Sequence, residues 1–372
     1  MKKLCLLILA LLLMMNSASA DTGKVYPLVL RTEAPATDTH TPAITEAPVT
    51  MTPVLTPVPE NTEEITAVLP VAEEEPEILP EPEMTAEEEA AEERKTGGRL
   101  ADGTYRLPLD LTPGMKLHKA NYNTKYHYQD PTIEMDTRDE KNGEYRYWIA
   151  EIKIQDASQL RTMPANSFTR SNTAEGIRLS HRAQAVLACN GDYWYRDVQW
   201  KGSYVLRQGQ LYMYHLYGNA DLLLVNEDGD FRIIHKATEE TTPMPKKKEG
   251  PVFYEGKQIY NGFCFGPALV EDGKALPIEP NDQISTEKKT ARMAICQLGK
   301  LHYAVVCSAK ESMTLQEFAD MLSTMDIQTA YNLDGGNSTM LMTGDDLLNY
   351  NPTTRELSDI IYFASAWQGE DK

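Results

Sequence analysis

The segment AYNLDGGNSTML, residues 330–341, concentrates side chains that could do chemistry. A β-prone run through Leu333 is broken by Asp334, Gly335 and Gly336. Asn337 and Ser338 follow before the chain turns apolar again at Met340. Adjacent glycines let the backbone take positive φ angles and approach a ligand closely. A carboxylate at the end of a buried strand is costly unless it is paired, solvated in a cleft or engaged in chemistry. Asp334, Gly335, Gly336, Asn337 and Ser338 are therefore candidate site residues. Read alone, Asp-Gly-Gly is equally an ordinary turn.

A second strand end repeats the pattern. AVLACNGDYW, residues 185–194, runs an apolar strand into Asn190, Gly191 and Asp192, with Tyr193 and Trp194 next. An amide supplies donor and acceptor, a carboxylate accepts or acts as a base, and a ring offers a flat face. Together they suit a sugar, and an Asn-Gly hairpin turn is the plain alternative. Arg292 opens an otherwise apolar strand, TARMAI. An arginine there is either a surface edge residue or an anion clamp, its planar fork matching phosphate or carboxylate. In FCFGPALVEDG (263–273), Asp272-Gly273 reads as a hairpin turn. The seven histidines are scattered without metal-ligand spacing, and NEDGD (226–230) lacks the full calcium-loop pattern.

Certain elements must position these groups. EYRYWIAEIKI (144–154) alternates as a half-buried strand does, and RAQAVLACN (182–190) is continuously apolar, as in a central strand. Asp228-Gly229 and Asp272-Gly273 mark hairpin turns. One helix is well marked: Thr314 and Glu317 form a capping box, Met313 and Phe318 a hydrophobic staple, and Leu315, Phe318, Ala319, Leu322 and Met325 recur at helical spacing. The pattern predicts an α+β fold, a mixed β-sheet core with few helices.

Composition divides the chain. Lys2 and Lys3, a 12-residue apolar run (4–15) and Ala18-Ser19-Ala20 read as a secretory signal peptide over residues 1–20. The run is short of the ~20 residues a membrane helix needs. Residues 21–93 hold 18 acidic and 2 basic side chains and 11 of the 22 prolines, so most of the chain's net charge of −19 lies there. Such a segment cannot bury enough surface to offset its ordering entropy. A disordered, extended acidic linker is expected over 21–95, as a spacer from an envelope or wall, followed by one domain over 96–372. The chain shows no basic patch for nucleic acid. Cys189, Cys264, Cys296 and Cys307 lack metal-ligand spacing. With a hairpin turn at Gly299-Lys300, Cys296 faces Tyr303 rather than Cys307, which favours four buried thiols over two bridges.

In this order, IKIQDASQLRT, VLACNGDYW, FGPALVEDG, ARMAI, MTLQEFADML, YNLDGGNSTML and RELSDIIYF resemble the phosphodiester glycosidase family over roughly residues 145–365. Two places depart from the family pattern: CSAKES precedes the helix where relatives often carry glycine and arginine, and Asn337 stands where glycine is frequent. The resemblance implies hydrolysis of a sugar-1-phosphodiester at the anomeric carbon. The leaving group is a phosphate monoester, so strong general-acid help matters less than a cation on the departing phosphate and a carboxylate facing the oxocarbenium-like centre. By this reading Arg292 clamps phosphate, Asp334 is base or nucleophile, Asp192 is the partner carboxylate, and Asn190 and Ser338 orient sugar or phosphate oxygens. Gly191, Gly335, Gly336, Asn337 and Trp194 complete the substrate site. The scheme uses neither metal nor cofactor. The expected partner is a glycan or sugar phosphate, at a secreted or envelope-associated location and with wall association through the linker. A non-catalytic polysaccharide-binding module on a stalk is the alternative, and it has no need of a phosphate clamp opposite a carboxylate.

Overall fold

The computed structural model describes residues 85–169, 172–192, 203–215, 220–247, 249–281, 284–310, 312–349 and 354–369. All lie within the compact unit Leu79–Lys372. Three large sheets build it, with a small two-stranded sheet, Gly98–Arg99 and Tyr105–Arg106, beside them. The largest has nine strands and runs from Lys274–Ala275 through Thr329–Leu333, Met293–Gly299, His302–Ser308 and Tyr145–Ile154 to Tyr122–Thr124. A five-stranded sheet places Leu341–Thr343, Ala185–Asn190, Asp359–Ala364 and Leu160–Pro164 side by side. A six-stranded sheet contains Ser203–Arg207, Lys257–Phe263 and Leu222–Asn226. Where the sequence suggested mixed sheets, every pairing between these strands is antiparallel. Many neighbours are joined by tight hairpins, whereas a parallel pair needs a crossover of a dozen or more residues.

Faces explain the runs. In Met293–Gly299, Met293 and Ile295 enter the core shared by all three sheets, where they join Leu187, Phe263 and Phe363. Ala294 and Cys296 point the other way, under a helix. A strand buried on both faces loses its alternation of apolar and polar residues. That helix, Leu315–Ser323, has Thr314 as its N-cap with the reciprocal Glu317 capping box, as the sequence indicates. A second helix, Gly176–Ala183, covers the outer face of the five-stranded sheet with Leu179 and Ala183.

Two local readings change. The Cys296 hairpin turns at Lys300-Leu301, because a bulge after Gln297 shifts the register; Cys296 then faces Ala304, and Gln297 faces Tyr303. The four described cysteines are nonetheless buried thiols. The domain also begins before residue 96. Residues Ala86–Arg94 form a helix at the end of the expected linker. Its capping box is readable: Thr85 N donates to Glu88 Oε2 (3.0 Å), and Glu88 N to Thr85 Oγ1 (3.3 Å). Ala and Glu favour helix, and the helix docks through buried Ala91, an Arg94–Glu227 ion pair (2.7 Å) and Glu88–Lys247 (3.1 Å).

Beyond it, Arg161 holds the chain that enters the domain. Fully buried, it donates to the carbonyls of Pro108 (2.9 Å), Asp110 (2.9 Å), Thr112 (2.8 Å) and Ser158 (3.0 Å). A chain begun at Gly97 should therefore fold but be less stable than one begun at Leu79, by about 1–2 kcal/mol for lost burial and one partly buried pair. Thermal denaturation should show a fall in Tm of about 2–6 °C; equal melting of the two chains would mean that the helix contributes nothing.

Candidate active site

Asp334 marks the point where the chain leaves one sheet for another. Strand Thr329–Leu333 belongs to the nine-stranded sheet and Leu341–Thr343 to the five-stranded one. The short 3-10 turn Gly336–Ser338 lies between them. The two glycines serve different needs. Gly335 is extended (φ −112°), and a side chain there would run into the Ala291 carbonyl at 2.6 Å. Gly336 has φ +59°, the left-handed region that favours glycine, and its N–H donates to Ala291 O (2.8 Å).

Asn190, at the end of Ala185–Asn190, fastens this turn. Its Nδ2 donates to the carbonyls of Asp334 (2.7 Å) and Gly191 (3.1 Å), and its Oδ1 accepts from Met340 N (3.2 Å). Its side chain thus serves the main chain of the site. Gly191 lies against Asp359, whose carboxylate fills the space a side chain at 191 would need.

The Asp334 side chain is 13 % exposed and pairs with Arg355: Nη2 to Oδ2 is 2.6 Å. Arg355 Nε donates to Ser338 Oγ (2.6 Å), and Arg355 N to the Asn337 carbonyl (3.1 Å). The Arg355 side chain is 47 % exposed. Asn190, Gly191, Asp334, Ser338, Glu356 and Asp359 line one small cleft of about 10 Å³. Asn337 is exposed beside it. Glu356 stands at the rim, accepting from Thr173 Oγ1 (2.6 Å). Among the described residues, no group of three or more His, Cys, Asp or Glu is arranged to hold a metal.

Two sequence expectations are corrected by this geometry. Arg292 is 3 % exposed, and its guanidinium donates to the carbonyls of Met313 (3.3 Å), Ile284 (3.4 Å), Ser285 (2.7 Å), Thr286 (3.3 Å) and Lys288 (2.6 Å). It anchors a loop, and burial lowers its pKa to about 10, still a cation at neutral pH. Asp192 is also turned inward. Its Oδ1 pairs with Arg207 Nη2 (2.8 Å) and its Oδ2 accepts from Cys264 N (3.0 Å). Both side chains of that pair are fully buried. Trp194 lies outside the described residues.

Arg355 was missed although it opens RELSDIIYF. It carries the same signal as Arg292, an arginine just ahead of an apolar strand. Arg292→Met should therefore act on stability. Five carbonyls would lose a charged donor, at a cost of about 3 kcal/mol or more, visible in denaturant unfolding. Wild-type stability in that variant would contradict the anchoring role.

Residues 183–364 match the family model described as phosphodiester glycosidase. No curated protein matches the chain. Among solved structures, the zebrafish N-acetylglucosamine-1-phosphodiester alpha-N-acetylglucosaminidase catalytic domain, auto-inhibited by its pro-peptide, is similar in fold. Its TM-score is 0.51 at 12% identity, over 68% of this chain and 87% of that one. A hypothetical protein from Synechocystis matches with a TM-score of 0.42 and 16% identity, over 62% of each chain, so this chain spans less than two thirds of that protein's length. Every cleft residue named above lies within residues 183–364, the stretch that is similar to the phosphodiester glycosidase family.

Proposed function

We propose that this protein is a secreted hydrolase that cleaves a sugar-1-phosphodiester in an envelope or extracellular glycan, between the anomeric carbon and the phosphate oxygen. The observation that carries the reading is the Asp334–Arg355–Ser338 contact at the cleft, within the family-matched stretch. The zebrafish enzyme of similar fold is named for the same bond class. Delivery outside the cell rests on the leader-like residues 1–20, and the acidic segment that follows serves as a spacer from a wall.

Arg355 takes the role that the sequence suggested for Arg292. A planar guanidinium can hold two phosphate oxygens side by side. When a substrate phosphate enters, Arg355 exchanges its Asp334 partner for the incoming anion. Asp334 is then left facing the anomeric centre. As that centre gains positive character, the carboxylate stabilises it. Water supplies the new C1–O bond, with Asp334 either accepting its proton or first forming the glycosyl ester. The C1–O bond to phosphate breaks, and the electron pair leaves on the phosphate monoester, whose charge Arg355 holds. Ser338 Oγ, released from Arg355 Nε, becomes available to a phosphate or sugar oxygen. Asn190 contributes by fixing the Asp334 main chain.

The test is single-turnover hydrolysis of sugar-1-phosphodiesters and of aryl glycosides. Asp334→Asn should lose about 10²-fold or more on both substrates while remaining folded by circular dichroism. Arg355→Lys should lose more on phosphodiesters than on aryl glycosides, because a point cation cannot grip phosphate bidentately. Near-wild-type activity in folded Asp334→Asn would remove Asp334 from the mechanism. Equal losses on both substrates in Arg355→Lys would remove the clamp. A wild-type protein without turnover that binds a wall polymer would establish the binding-module alternative.

A further inference from the structure

Beneath the cleft lies a group of charges that the reaction scheme leaves unused. Arg207 ends the strand Ser203–Arg207 of the six-stranded sheet. Its Nη2 is 2.8 Å from Asp192 Oδ1 and 3.6 Å from Asp359 Oδ2. Its Nη1 donates to the carbonyls of Gly262 and Leu206. The guanidinium lies between two rings, with its carbon 4.4 Å from the centre of Phe263 and 5.6 Å from that of Phe168. Its Nε has no hydrogen-bond partner among the described residues. Asp192, Arg207 and Asp359 are each at most 2 % exposed.

Burying three charges is a poor way to gain stability, since desolvation offsets most of the attraction, and well-packed apolar groups often do as well. What such a cluster supplies is direction. Asp192 stands two residues after Asn190. Asp359 opens the neighbouring strand, its carbonyl accepts the Gly191 N–H (3.2 Å), and its carboxylate packs against Gly191. Arg207 draws both carboxylates toward the six-stranded sheet. The turn Asn190–Gly191 is thereby gripped from both sides. Asn190 in turn holds the Asp334 carbonyl and the Met340 N–H.

We propose that Asp192, Arg207 and Asp359 form a buried positioning triad that fixes the Asn190–Gly191 turn and, through the Asn190 amide, sets the Asp334 loop for reaction. The catalytic half of this inference rests on the proposed hydrolysis; the structural half does not. Asp359 lines the cleft floor from below and acts through Gly191 and Asn190. A displacement of about 1 Å in a reacting group can cost about 10²-fold in rate, so the turn need not unfold for activity to fall.

The experiment compares wild type with Asp359→Asn and Arg207→Lys by backbone hydrogen exchange and by steady-state kinetics on a sugar-1-phosphodiester. Asp359→Asn keeps the main-chain carbonyl and the side-chain shape but removes one charge. Arg207→Lys keeps the charge, but a single ammonium replaces the fork that reaches Asp192, Asp359 and Gly262. Both variants should exchange the Asn190, Gly191 and Met340 amides about 10-fold faster, with the strand Met293–Gly299 unchanged. Both should lose about 10-fold or more in kcat, with KM within about threefold of wild type. Two outcomes overturn the proposal: unchanged exchange at those three amides, or a lowered Tm with wild-type kcat per folded molecule, which is a purely structural role. If wild type turns over no phosphodiester, the proposed function falls, while exchange at these amides still decides whether the triad holds the turn.

Discussion

One side-chain amide joins the two sheets at the cleft. Asn190, on the five-stranded sheet, donates to the carbonyl of Asp334, where the nine-stranded sheet ends, and accepts from Met340 on the way back. Both ends of the amide are satisfied by main chain in a buried place, where an unmade hydrogen bond would cost about 1–3 kcal/mol. The Asp334 carboxylate can then stand at a strand end, with Gly335 and Gly336 allowing the chain to pass close to Ala291. A main-chain bond from Asn190 N to Met340 O (3.3 Å) reinforces the same bridge.

Buried arginines are the second theme. Arg161 gathers the entering chain by its carbonyls, Arg292 gathers residues 284–288 and Met313, and Arg207 joins two carboxylates and two carbonyls. Arg161 and Arg292 replace regular secondary structure where the backbone is irregular, because one planar fork can satisfy several carbonyls at once. Arg355 differs. It is about half exposed and holds a carboxylate and a hydroxyl in the cleft. Those partners can be exchanged for a substrate's oxygens without exposing a carbonyl ladder.

This division of labour accounts for the inward turn of Asp192. A carboxylate two residues from Asn190 looks reactive in the sequence, yet Arg207 and the Cys264 N–H hold it in the interior. In a low-dielectric setting a carboxylate stays charged only beside such partners. The cleft is left with Asp334 beside the half-exposed guanidinium of Arg355, and with Glu356 at its rim.

The local features were settled by sequence alone. The Thr314–Glu317 capping box, the Asp-Gly hairpins, the strand Tyr145–Ile154 and the glycine break after Asp334 depend on residues within a few positions of one another, so their signals lie in the chain itself. The family resemblance followed from the order of such strings. Tertiary structure decided which arginine reaches the cleft. Arg161, Arg207, Arg292 and Arg355 are the same residue type beside similar strands, and only burial and long-range pairing separate them. Asp334 meets Arg355 across 21 residues and Asn190 across 144. The register of the Cys296 hairpin, the antiparallel pairing throughout and the docking of Ala86–Arg94 were decided in the same way. Each depends on a partner brought near by the fold, and neither periodicity nor spacing within one segment carries that information.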